Sequence, residues 1–215
     1  MAEATPPGGL ALVKDDREAI FSRVRAALTA LPERAAMPDY DAEIMVMRKL
    51  LADRDPFAVF AERIKLVHGE ALTDPAELVQ RLRAAGWLRG YCDPALWPRL
   101  QPHFGEGFTV ETAFDRTRID DYSFGITRAA GAIAETGTII LKDASTSSRL
   151  GALAPWVHVA VLSRAEICGD LPHAVDTFGD DPNIIWCTGP SKTADVEGIL
   201  IQGVHGPGAQ IALIV

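Results

Sequence analysis

The group in this chain best placed to do chemistry is a carboxylate set among small and hydroxyl-bearing residues, Glu135 in Ala134-Glu-Thr-Gly-Thr138. Short side chains around it allow a backbone or a ligand to come close, and an unpaired carboxylate buried there would cost several kcal/mol. Two readings follow. Glu135 caps a turn by accepting backbone N–H bonds, or it is a site carboxylate that acts as a nucleophile or base. Thr136, Gly137 and Thr138 belong to the same candidate site, with Gly137 supplying the positive φ that a tight turn between strands needs.

A second candidate is the loop from Thr188 to Glu197, which contains Gly189, Ser191, Lys192 and Thr193. A Gly-Pro turn is expected to feed a helix start here, with Ser191 or Thr193 as cap and Asp195 and Glu197 in the first turn. The free N–H groups of such a start bind phosphate or carboxylate, although the two acidic residues already complement the helix dipole. It is not a P-loop, because Ser191 and Trp186 stand where that motif requires glycine. The third candidate is Gly203 to Gly208, where glycine-rich backbone surrounds His205. His205 and Gly206 could meet a ligand, the imidazole donating to an oxyanion or relaying a proton; a histidine simply bonded to a neighbouring carbonyl is the plainer alternative. A fourth loop, Lys142 to Arg149, offers hydroxyls and a guanidinium, a set that suits either an anion or plain solvation.

Spacing along the chain shows no other site motif, which leaves open a metal site assembled in three dimensions. No GxSxG elbow and no strand-associated GxGxxG occur, and no Ser/His/Asp order can be assigned. Cys92, Cys168 and Cys187 match no zinc or iron–sulfur spacing and read as free, buried thiols. The five histidines form no i, i+4 pair. No cofactor is therefore expected on this chain, and an iron–sulfur centre used with it must belong to a partner.

The elements that position these loops alternate. Asp15-Asp16 caps a helix to about Ala30, a second helical stretch covers Ala42 to Leu51, and Asp55-Pro56 opens a third. Strands are expected at Leu66–Ala71, Trp87–Cys92, Phe108–Phe114, Gly131–Ala134, Thr138–Leu141, Trp156–Leu162, Asn183–Cys187 and Gln210–Val215. Helices fall at 74–85, after Asp93-Pro94, at Ile119–Ile126 and at Leu171–Phe178. Near-continuous apolar strands between helices predict a mostly parallel sheet covered on both faces, made mixed by the embedded hairpin. Ligands are then expected beyond the carboxyl ends of the strands. Residues 1–52 read as a flexible lead-in with a helical extension, and residues 53–215 as the α/β domain.

Composition bounds the rest. The chain has 215 residues, a hydrophobic content of 48% and a charged content of 23%, within the range of a soluble globule. A net charge of −8 argues against gripping nucleic acid. The apolar runs are strand-sized, too short for a membrane span, and the first residues lack a secretory pattern, so the expected location is cytoplasmic.

Four segments in order, Gly131-Ala-Ile-Ala-Glu-Thr-Gly-Thr138, Leu153 to His158, Gly189 to Glu197, and Gly203 to Pro207, resemble the lactate utilization protein C family, also called the LUD domain. The resemblance covers about Phe57 to Val215. It implies a three-layer Rossmann-like sheet of the glucosamine-6-phosphate deaminase, ribose-5-phosphate isomerase and CoA-transferase type. It also implies a non-redox subunit that acts with iron–sulfur partners in oxidising L-lactate to pyruvate. The alternative it carries is a stand-alone CoA-transferase-like or anion-binding enzyme with Glu135 as nucleophile, and a weaker one is a folate-related cycloligase.

Overall fold

The structure, a computed structural model, describes residues 13–29, 51, 53–143, 145–178, 181, 183–194 and 198–215. The chain divides into two compact units, residues 1–42 and 43–215. The first is described as one helix, α1 (Val13–Thr29), where a helix is expected. The expected helix at 42–51 lies outside the described residues except for Leu51.

The larger unit is built on a six-stranded sheet. Its strands are β1 (Glu70–Leu72), β2 (Arg89–Cys92), β3 (Thr109–Glu111), β4 (Phe124–Arg128), β7 (Val157–Leu162) and β12 (Ala209–Ile214), in the order β1-β12-β7-β4-β2-β3. Every pairing is parallel. Parallel strands are buried on both sides, which is why β7 and most of β12 are closed to solvent along their length. Here the α/β reading holds, with one refinement. The hairpin of β5 (Gly131–Ile133) and β6 (Thr138–Lys142) is not embedded in this sheet. It forms a second sheet with β8 (Ile167–Cys168) and β9 (Ile184–Cys187), in the order β8-β5-β6-β9.

Side chains alternate across the central strands and divide them into two faces. One face carries Phe124, Ile126, Val157, Val159, Val161, Ile211 and Leu213, and packs against Leu78 and Leu82 of α3 (Pro75–Ala84). Asp74 starts that helix by accepting the Ala76 N–H at 2.8 Å, and Pro75 has no N–H to leave unsatisfied. The opposite face carries Ala160, Leu162, Ala212 and Ile214. It is covered by α2 (Pro56–Leu66), by the second sheet, and by Ala152 of α5 (Arg149–Leu153); α4 (Trp97–Leu100) packs on the first face. The outer side of the second sheet packs Ile133, Ile140 and Cys168 against Ala174 of α6 (Leu171–Phe178).

Three local expectations give way. Leu66 ends α2, and the first strand begins four residues later, because Gly69 N–H bonds back to the Ile64 carbonyl at 2.8 Å and closes the helix. Residues 116–121 are 3₁₀ helix rather than α-helix, with Asp115 accepting the Thr117 N–H, and Phe124–Ile126 joins the central sheet. Lys192–Ala194 is a strand, β10, paired antiparallel with β11 (Leu200–Gln202), and not a helix start. Asp195 and Glu197 lie outside the described residues.

Candidate functional site

The amino ends of β7 and β12 carry polar groups on the face turned toward the second sheet. His158 is the second residue of β7 and Gln210 the second of β12, and the two are register partners. Thr127 on β4 shares that face. Its hydroxyl lies 3.1 Å from His158 Nε2, so one imidazole nitrogen is held. The other nitrogen, Nδ1, and the Gln210 side-chain oxygen are buried and have no hydrogen-bond partner within the protein. His158 is 0% exposed and Gln210 4%. Burial lowers the His158 pKa from 6.5 to about 4, which keeps the imidazole neutral at physiological pH.

Both side chains face a cavity of about 390 Å³. Its floor is His158 and Gln210, its walls are Leu153, Trp186, Cys187, Pro190 and Pro207, and its mouth is formed by Ser191, His205 and Gly206. Among these lining residues there is no Lys, Arg, Asp or Glu. Two loops close the site by bonding to each other: Ser191 N–H donates to the Pro207 carbonyl at 2.8 Å, and Gly203 N–H to the Ser191 carbonyl at 2.9 Å. Gly189 takes φ of 78°, and a Cβ there would lie 2.1 Å from the Val67 carbonyl oxygen, so only glycine lets this loop run under the end of α2.

The structure thus brings Gly189, Ser191, His205 and Gly206 together at one cavity. Thr193 sits on β10 opposite Ile201 and does not line it. The hairpin residues contribute at a distance. Thr136 and Thr138 hydroxyls are 2.7 Å apart, and Thr138 reaches the Thr188 hydroxyl at 2.8 Å, so a hydroxyl chain runs from the turn to the cavity wall. Gly137, at φ 67°, leaves room for the backbone of α2, since a Cβ would lie 2.5 Å from Ile64 N. Glu135 points elsewhere. Its carboxylate accepts the Leu171 N–H at 2.8 Å at the start of α6, and it does not line the cavity.

Sequence reasoning placed ligands beyond the carboxyl ends of the strands; the cavity does adjoin the carboxyl end of β9, from Trp186 to Ser191, but it meets the central sheet at the amino ends of β7 and β12. It also missed His158, Gln210 and Thr127 as site residues. The available signal was a single polar residue in each of the otherwise apolar runs Trp156–Leu162 and Gln210–Val215, whose segments Val157–Leu162 and Gln210–Ile214 are buried.

The thiols are reluctant to ionise. Burial pushes Cys92 up to about 12 and Cys187 up to about 11, and raises Cys168 as well. Among the described residues, no three His, Cys, Asp or Glu gather to hold a metal ion. Nor is any described helix long and apolar enough to cross a membrane.

Residues 100–215 match the family model described as the LUD domain, a span that includes the whole cavity. A protein of Deinococcus radiodurans named lactate utilization protein C is 30% identical over 194 residues, covering 85% of this chain and 87% of that one. The chain belongs to the LUD domain family. The protein of the same name in Bacillus subtilis is 31% identical over 98 residues, 42% of this chain and 41% of its own length. A crystal structure of a DUF162 family protein from Deinococcus radiodurans aligns with a TM-score of 0.49 and 22% identity, over 83% of this LUD protein and 99% of that chain.

Proposed function

We propose that the chain works in the utilization of lactate, as a non-redox subunit beside iron–sulfur partners that oxidise L-lactate to pyruvate. The similarity to the Deinococcus protein named lactate utilization protein C, along most of both chains, carries the lactate part of the reading. The site agrees with it. A neutral, hydrogen-bonding cavity suits a small polar metabolite, and its neutral walls give a multiply charged phosphate no counter-charge. Oxidising an alcohol to a ketone moves two electrons. On this reading the iron–sulfur partners carry those electrons.

A stand-alone enzyme acting through Glu135 finds less support. Its carboxylate is engaged at the start of α6, outside the cavity. Deleting the gene in its native host tests the proposal. Growth on L-lactate as sole carbon source should fail while growth on glucose continues, and the wild-type gene should restore it. Unimpaired growth on lactate contradicts the role.

A further inference from the structure

The cavity floor contains two buried polar atoms whose needs differ from those of an ordinary anion site. The Gln210 side-chain oxygen only accepts hydrogen bonds, so whatever meets it must bring a donor. Ionised carboxylates and ketones carry acceptors alone and leave it unsatisfied. The neighbouring His158 Nδ1 is a donor when the Thr127 hydroxyl donates to Nε2, and an acceptor when Nε2 carries the proton. A hydroxyl group answers both states, since it gives one proton and holds two lone pairs.

We propose that His158 and Gln210 form a hydroxyl-reading notch, and that the cavity binds a small hydroxylated carboxylic acid with its hydroxyl on this pair and its carboxylate toward the mouth. This rests on the lactate-utilization reading for the choice of a hydroxy acid, but the hydroxyl requirement comes from the two unpartnered atoms. The register of β7 and β12 sets the notch, because it places both side chains side by side on one face. Thr127 fixes the ring orientation from the other side. At the mouth, exposed His205 and half-buried Ser191 supply polar groups where a charged end remains close to water. The apolar walls of Leu153, Pro190 and Pro207 suit a short carbon skeleton. The notch is therefore a specificity device: the keto product lacks the donor that the hydroxyl supplied, so it is held less well.

Titration calorimetry on the purified full chain with L-lactate, pyruvate, propionate and inorganic phosphate tests this. L-lactate should bind saturably, and pyruvate and propionate at least about tenfold more weakly, because losing one satisfied buried hydrogen bond is worth about that factor. Phosphate should not displace L-lactate. In Gln210→Met, a folded variant of similar volume, the preference for L-lactate over propionate should fall to roughly one. Three results overturn the notch: no L-lactate binding at tens of millimolar, equal binding of L-lactate and propionate by the wild-type chain, or an unchanged preference in Gln210→Met. Equal binding would mean that a water molecule satisfies the pair. None of these bears on the pathway role, which lactate growth tests separately.

Discussion

The two faces of the central sheet are made by the same strands, one residue out of step, and they do different work. On one face, Phe124, Ile126, Val157, Val159, Ile211 and Leu213 form a dry core, extended by Phe104 and Phe108, whose rings lie 6.2 and 6.4 Å from that of Phe124. On the other, the same strands present His158 and Gln210 at the amino ends of β7 and β12, Thr127 on β4, and alanines and aliphatic residues further along. The first face contributes stability through apolar burial. The second gives up part of that contribution, since buried polar atoms without partners cost about 1–3 kcal/mol each. Unsatisfied buried groups of this kind ask for an explanation, and these two belong to residues that line the cavity.

The contrast can be broken most forcefully on the dry face. Phe124→Ala should destabilise the chain by about 3–5 kcal/mol in denaturant unfolding, through lost burial and the cavity left behind. Its affinity for L-lactate, measured below the unfolding transition, should be unchanged. A change in affinity at full folding would mean that the two faces are coupled.

The polar face should show itself through pH. His158 has its pKa lowered from 6.5 to about 4 by burial, so between those values the unfolded chain binds a proton that the folded chain does not. Stability therefore rises with pH across that window. The His158 contribution is complete above the unfolded value and is lost as pH falls toward the folded one, on the order of 3 kcal/mol in all. Urea unfolding of wild type and His158→Asn across the window should show a steeper slope for wild type. Equal slopes would place the imidazole in water.

Replacing Gln210 separates stability from function on the polar face. Gln210→Met removes an unsatisfied oxygen and should raise stability by about 1 kcal/mol or leave it level, while the binding preference for L-lactate over propionate is lost. A stability loss of about 2 kcal/mol or more would show that the amide is already bonded in the fold.

The smallest effect is expected at the residue that first drew attention. Glu135→Gln keeps an oxygen for the Leu171 N–H and should leave both stability and lactate growth close to wild type. Glu135→Ala should cost about 1 kcal/mol by thermal unfolding, as loss of a helix-start acceptor does. Loss of lactate growth in a stable Glu135→Gln variant would instead support the carboxylate as nucleophile.

Much of the frame was legible from local pattern. Apolar runs marked β7, β9 and β12, and small residues around Gly137 marked the hairpin turn, because period, turn chemistry and burial agree there. The loops around Gly189 and His205 were also visible, since glycine clusters announce close backbone approach. The partition into two sheets was not, because pairing partners are set by long-range contacts that spacing does not encode. For the same reason Lys192–Ala194 read as a helix start: its capping residues fit one, and only the pairing with β11 makes it a strand. His158 and Gln210 were hidden by their surroundings. A single polar residue in a buried strand carries no motif, and its meaning depends on the neighbour placed beside it by register.

The central claim is most directly tested by purifying the tagged protein from lactate-grown native cells and assaying the eluate for L-lactate-driven dye reduction. The account predicts that activity and iron–sulfur proteins co-elute with the chain. A chain that elutes alone and inactive, with the lactate-oxidising activity left in the unbound fraction, would contradict it.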